Sequence, residues 1–283
     1  RPVLVLKSEE PGTKQLLAFK HDSVETICAD LVNHLVNDCI VMGARPLSIQ
    51  DCIICGKVEK SVVVRMVRAF AQAAKDNECT LTGGETSWQP GTIAEGIYVL
   101  TASIVGVVEK ERVIDGSRIR AGDTVLALAS SGVHTNGFSL VRKIMETSPG
   151  ILKEKVGDKP FIEAILTPHR AYYITGGGIA ENLNRILPDT LNADIELAAI
   201  RILPIFKTLK KYGALEEADM LRTFNMGVGM AAVVEASFAD EVIAHLKQFD
   251  IAAYPIGTIR GGNRTVDSRG AVQWESCDMA HYK

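Results

Sequence analysis

His134-Thr135-Asn136-Gly137-Phe138-Ser139-Leu140-Val141-Arg142-Lys143 puts a polar, glycine-bearing turn directly in front of a helical stretch. Just upstream, Thr124 to Ala129 is a short apolar run of the kind that forms a buried strand. Strand, polar turn and helix in that order make an α/β unit, with the turn at the strand end where such folds gather ligand loops. Glycine lets the chain bend sharply and approach a ligand closely, because it has no Cβ. The amides that open a helix suit an anion, and His134 is an acid or base that works near neutral pH. Asn136 reads equally as an ordinary N-cap for a helix from Gly137 to Met145.

Three further segments share this character: Gly83-Gly84-Glu85-Thr86, Thr175-Gly176-Gly177-Gly178 and Asn225-Met226-Gly227-Val228-Gly229. Four such bends over most of the chain point to a phosphorylated ligand. Glu85, after two glycines, is placed to offer oxygen to Mg²⁺, a hard cation. Gly176, Gly177 and Gly178 precede a helix and leave free amides for a phosphate. Gly227 serves either contact with the ligand or close strand packing. Gly12-Thr13-Lys14 follows the first strand, where Lys14 is either a point charge for a phosphate oxygen or a solvated surface lysine. Asp38 lies near a helix C-terminus, against the helix dipole. A bound cation would offset that cost, and plain exposure is the alternative. Asp51 interrupts an apolar strand, so it is either paired or metal-bound, or turned to solvent by alternation.

The wider pattern is regular. Val3–Leu6 reads as a strand and Ser23–Met42 as a helix, with Asp22 and Glu25 in capping-box form. Leu47–Cys55 reads as a strand, Glu59–Asn77 as an amphipathic helix, Cys79–Thr82 as a short strand and Ile97–Val108 as a long one. That is β-α-β-α-β-β, a sheet with helices on one face. The turn-rich passage Asp115 to Asp123 marks a boundary, giving domains 1–117 and 118–283, the second an alternating α/β unit.

At 283 residues with 47% hydrophobic and 23% charged residues, the composition is that of a soluble globular protein. A net charge of −3 argues against a nucleic-acid binder, and no apolar run is long enough for a membrane span. The six cysteines are expected to be reduced, as in a cytoplasmic protein. Cys52 and Cys55, three apart on a strand, point to opposite faces. The opening Arg1-Pro2-Val3 reads as a strand entered midway, with further residues expected upstream.

These segments, in this order, resemble the aminoimidazole ribonucleotide synthetase family, the phosphoribosylformylglycinamidine cyclo-ligases. The resemblance runs through Leu16–Phe19, Asn37-Asp38, Leu81–Thr86, Gly106–Glu109, Ile114–Ser117, His134–Lys143, Ile174–Gly178 with Glu181-Asn182, and Arg222–Met230. It implies a two-domain α/β (α+β) fold, an N-terminal mixed sheet with helices on one face and a C-terminal α/β domain. It further implies a homodimer whose N-terminal sheets join into a β-barrel, ATP and Mg²⁺, and a small phosphorylated substrate, with no nucleic acid or membrane partner. The implied reaction is ATP-dependent ring closure of formylglycinamidine ribonucleotide. On this resemblance His134 and Asp51 carry catalysis, and Gly12, Thr13, Lys14, Asn136, Gly176–Gly178 and Gly227 hold ATP and phosphate. Asp38, Glu85 and Glu9 hold the metal. Two departures stand out: Glu9-Glu10-Pro11 replaces the family's Asp-Gly-Val, and His169–Tyr173 runs almost directly into Ile174 where family members carry another helical segment. Another ATP-using enzyme of the superfamily and a non-catalytic nucleotide-binding partner are the alternatives.

Overall fold

A computed structural model of the chain describes residues 1–172 and 179–275. Contacts divide it into two units. The first holds Arg1–Ile114, His134–Lys143 and the segment that begins at Leu166, and the second holds most of the remainder.

In the first unit the elements are β1 (Pro2–Glu9), α1 (Lys14–Lys20), α2 (Val24–Ile40), β2 (Arg45–Cys55), α3 (Lys60–Asp76), β3 (Thr80–Trp88) and β4 (Tyr98–Glu109). The sheet order is β1-β4-β2-β3. β4 is antiparallel to both its neighbours, and β2 is parallel to β3. α2 and α3 cover one face. Ile27, Leu31 and Leu35 from α2 and Met66 and Phe70 from α3 are buried with Ile49, Ile53, Leu100 and Ile104 from the sheet. These are the helical and alternating positions that apolar periodicity selects. Cys52 and Cys55, both within β2, do face opposite ways. The five cysteines among the described residues are free thiols, and burial pushes those of Cys39 and Cys79 up to about 11.

Three local expectations change. The capping box at Asp22 and Glu25 does not form, since both carboxylates are taken by Arg65 of α3, at 2.6 and 2.7 Å. α1 is present although seven residues are too few to show a period. β3 does not stop at Gly83 but continues through both glycines to Trp88, because pairing with β2 satisfies the backbone there.

One register row aligns the sheet's polar residues. Glu9 on β1 lies opposite Ala102 on β4, Ala102 opposite Asp51 on β2, and Asp51 beside Gly84 on β3. Paired residues share a face, so Glu9 and Asp51 lie on one side of the sheet, about 10 Å apart across Ala102. A Cβ on Gly84 would come within 2.4 Å of the Asp51 carboxylate, which explains the glycine. On the opposite face Leu4 and Leu6, 60% and 71% exposed, lie beside Val107 and Val105, and Ser8 and Ser103 follow in the same rows.

The second unit is built on β5 (Thr124–Ala129), the latter part of α4 (Phe138–Thr147), β6 (Lys155–Val156), β7 (Lys159–Pro160), α5 (Phe161–Ile165) and α6 (Ile179–Ile186). It continues with β8 (Leu191–Glu196), α7 (Pro204–Gly213), α8 (Glu217–Thr223), β9 (Val228–Val234), α9 (Ala239–Lys247), β10 (Ala253–Gly261) and β11 (Val266–Arg269). Its main sheet runs β11-β8-β10-β5-β9. Within that sheet only β8 and β11 pair in parallel.

Leu31→Ala removes a fully buried side chain of α2 and is expected to cost about 2–5 kcal/mol. Arg65→Ala breaks partly exposed ion pairs and should cost less than about 1 kcal/mol. Urea unfolding of the two variants beside the parent chain checks the order.

Candidate functional site

The first unit brings its polar residues together in two adjoining groups. The inner one centres on Lys14, which is wholly buried. Its ammonium lies 2.7 Å from Asp30 Oδ2 and donates to the Thr167 carbonyl at 3.1 Å. Asp30 sits mid-helix in α2, and its other oxygen accepts the His169 amide at 2.6 Å. Burial pushes the Lys14 ammonium down and the Asp30 carboxyl up, while the pairing itself works against both shifts. Lys14, expected as either a phosphate ligand or a solvated lysine, is not solvated: it is wholly buried, with its ammonium turned to Asp30.

The same segment is tied along α2. Asn33 donates to the His169 carbonyl and Asn37 to the Arg170 carbonyl, and Asn37 Oδ1 accepts the Tyr172 amide at 2.7 Å. His169 is thereby held against His134, the rings stacked 3.9 Å apart. The Tyr172 hydroxyl lies 3.5 Å from His134 Nε2. Among the described residues His169 Nδ1 is buried without a hydrogen-bond partner. His134 sits at φ 64°, a left-handed conformation that a non-glycine residue adopts at a cost of about 1–3 kcal/mol. Burial holds both rings well below the ordinary histidine range, with nearby cationic groups adding to it.

The outer group comprises Glu9, His34 and Asp38, which bring one ligand atom each to within 4.8 Å of one another. His34 and Asp38 are four apart in α2 and so share a helix face. Glu9 faces them from β1. Lys7 lies across the carboxylates, 2.9 Å from Glu9 Oε2 and 2.9 Å from Asp38 Oδ2. The Glu9 and Asp38 hydrogen bonds push the Lys7 ammonium up. Burial raises the Glu9 carboxyl, but Lys7 and His34 outweigh it and the net shift is down. Two carboxylates are the oxygen donors a hard divalent ion takes, leaving further positions for water or phosphate. His34 adds an imidazole, so the donor set also suits ions such as Mn²⁺.

Other expected residues stand elsewhere. Asp51 is 7% exposed, and burial pushes its carboxyl up. Glu85 does not join Glu9 and Asp38: it pairs with Cys52, one residue on from Asp51, and alternation turns it to the opposite sheet face. Gly12 takes φ 60° beside the Thr135 carbonyl, and Thr13 Oγ1 lies 3.3 Å from Ser139 Oγ. Asn136 is exposed, and α4 starts at Phe138, so the residue before the helix is Gly137 rather than Asn136. In the second unit the Gly227 amide donates to Asn225 Oδ1 at 2.9 Å, and a Cβ there would meet the Arg201 carbonyl at 2.4 Å. That geometry is close packing, with the amide already engaged. Gly176, Gly177 and Gly178 lie outside the described residues.

Sequence reading missed Lys7, Asp30, His34 and His169. The period-two placement of Lys7 with Glu9 and the four-residue spacing of His34 and Asp38 were available signals. The approach of His169 to α2 was not, because 139 residues separate it from Asp30.

Residues 3–108 match the family model of AIR synthase related protein, N-terminal domain, and residues 120–268 match that of the C-terminal domain. The fold recurs in tt0281 from Thermus thermophilus, with a TM-score of 0.63 at 20% identity, covering 96% of this chain and 86% of that one. It recurs also in thiamine-monophosphate kinase from Stenotrophomonas maltophilia K279a, with a TM-score of 0.64 at 16% identity and the same coverages of 96% and 86%. The architecture is thus that of the AIR synthase related proteins. Phosphoribosylformylglycinamidine cyclo-ligases of Burkholderia cenocepacia (strain HI2424) and Burkholderia multivorans (strain ATCC 17616 / 249) are 41% and 40% identical over 276 residues, which is 92% of this chain and 79% of each of theirs. The chain belongs to the phosphoribosylformylglycinamidine cyclo-ligase family.

His134 and His169 stay neutral in the folded chain well below pH 6.5, whereas in the unfolded chain they take up protons near that value. The unfolded state then binds more protons, so stability is full above about pH 6.5 and declines below it. Each ring contributes up to about 1.4 kcal/mol per pH unit. Urea midpoints are expected to fall between about pH 7.5 and about pH 5.5, and His169→Gln should flatten that slope.

Proposed function

We propose that this protein closes the imidazole ring of aminoimidazole ribonucleotide at the expense of ATP. The formyl amide oxygen of formylglycinamidine ribonucleotide attacks the γ-phosphorus of ATP, forming an iminophosphate and ADP. A substrate nitrogen then attacks the activated carbon, a C–N bond forms, and phosphate leaves with the former amide oxygen. The observation that carries this reading is the match to both family domains in order, with relatives of that name at 41% identity.

The residues of the first unit fit the task. Glu9 and Asp38, with His34, are the set that would hold Mg²⁺, which when bound neutralises phosphate charge and orients the transferring group. Gly12 and Thr13, with Asn136 next in sequence to Thr135, are assigned to phosphate contact, as are Gly176–Gly178 on sequence grounds. Lys14 acts from beneath, as the counter-charge of Asp30, and so positions the His169 segment. His134, kept neutral by burial, and Asp51, whose carboxyl is pushed up, are assigned the proton movements of ring closure. Residues 1–117 would then carry ATP binding and dimerisation, and 118–283 the second α/β domain.

The exposed Leu4 and Leu6, beside Val107 and Val105, favour a homodimer, since exposed apolar patches mark interaction surfaces. Among the described residues no helix is long and apolar enough to cross a membrane, and the free thiols fit a cytoplasmic setting.

A second reading, nucleotide binding without turnover, draws on Lys7 lying across the proposed ligand carboxylates. Another enzyme of the superfamily draws on Glu9-Glu10-Pro11. Purified protein given formylglycinamidine ribonucleotide, ATP and Mg²⁺ is expected to yield the ring product with ADP. Glu9→Gln combined with Asp38→Asn should lower the rate by about 10²-fold or more. Folded protein that binds Mg-ATP calorimetrically yet releases no ADP would select the second reading, and ADP release only with another phosphorylated substrate the third. Separately, Leu4→Asp with Leu6→Asp should sediment as a monomer where the parent sediments as a dimer. An unchanged dimer would remove the sheet face from consideration.

A further inference from the structure

The Glu9–His34–Asp38 group contains its own cation. Lys7 and Glu9 are two apart on β1 and therefore share a face. That register sends the Lys7 ammonium into the gap between Glu9 and the α2 residue Asp38, at 2.9 Å from each. A divalent ion bound by the same two oxygens would sit at about 2.0–2.6 Å from each. Ammonium and metal therefore compete for one position, and their like charges repel at that range.

The Lys7 side chain is 39% exposed, against 25% for Glu9 and 16% for Asp38. The carboxylates are thus the more enclosed partners, and the lysine is the one with a route to water. Its flexible four-carbon stem lets the charge swing out without moving β1.

We propose that Lys7 is a tethered counter-ion that occupies the Glu9–Asp38 pair when no divalent ion is bound and must leave to admit one, so that it sets the site's metal threshold. This rests on the reading of Glu9 and Asp38 as cation ligands. Metal alone then binds weakly, because it must displace a charge already in place. Metal arriving with a polyphosphate binds better, because the displaced ammonium finds a new anionic partner on the ligand. The device neutralises the carboxylates without holding a metal, and couples metal entry to nucleotide entry.

The test uses the full chain and Mn²⁺ alone as probe, followed by electron paramagnetic resonance of the free ion. Lys7→Met is expected to bind Mn²⁺ at least ten times more tightly than the parent, and Lys7→Arg, which keeps the charge, no more tightly. Parent protein needs no variant for a second measurement. Amine-directed acetylation of Lys7, read by peptide mass, should speed up when saturating Mn²⁺ is added. Equal Mn²⁺ affinity in parent and Lys7→Met, or unchanged acetylation, overturns the role of Lys7 and leaves the cation site standing. No saturable Mn²⁺ binding in either protein, or binding that survives Glu9→Gln with Asp38→Asn, overturns the cation site and the proposal with it.

Discussion

An ion pair with no access to water, Lys14 with Asp30, organises the first unit. Two charges removed from solvent cost several kcal/mol each and are tolerated only as a well-bonded pair. Here the pair is completed by backbone groups, since Thr167 offers its carbonyl to the lysine and His169 its amide to the aspartate. The segment 166–172 is thus anchored to α1 and α2 through this charged pair. Loss of either partner would leave the other buried and uncompensated, which is why the pair acts as one structural part.

The site is assembled outward from that anchor. Asn33 and Asn37, one helical turn apart on α2, continue the same attachment toward Tyr172. His169 is fixed beneath His134, and His34 lies 5.4 Å from His169, ring to ring, bridging the dry group to the carboxylates of Glu9 and Asp38. One helix therefore presents, at successive turns, a buried acid, an amide pair, an imidazole and a half-buried acid. The sheet supplies the complement from below through the row Glu9, Ala102, Asp51 and Gly84. Small residues at 102 and 84 leave the two carboxylates the only bulk on that line.

Much of this frame is legible from residue order. The period of α2 and α3, the alternation of β2 and β4, and the opposed thiols of Cys52 and Cys55 all come from local geometry. Where the structure departs from the local reading, the causes are specific. Arg65 takes the carboxylates that would have capped α2, so a tertiary contact overrides a local motif. Gly83 and Gly84 look like a strand end, yet pairing with β2 carries β3 through them. Glu85 resembles a metal ligand through its neighbours in sequence, whereas alternation against Asp51 sends it to the other face. Lys14 reads as a ligand or a solvated side chain because an acid sixteen positions on, within an apolar helix, gives no sign that it will be its partner.

The left-handed backbone at His134 sets two demands on one position. A glycine would relax the torsion, and an asparagine would tolerate it, but neither supplies the flat ring that lies on His169. Thermal robustness and the proton chemistry proposed for His134 therefore prefer different side chains there. A search for heat-tolerant variants that ignored turnover would drift away from imidazole at this point, and the gain in melting temperature would come at the expense of the ring stack.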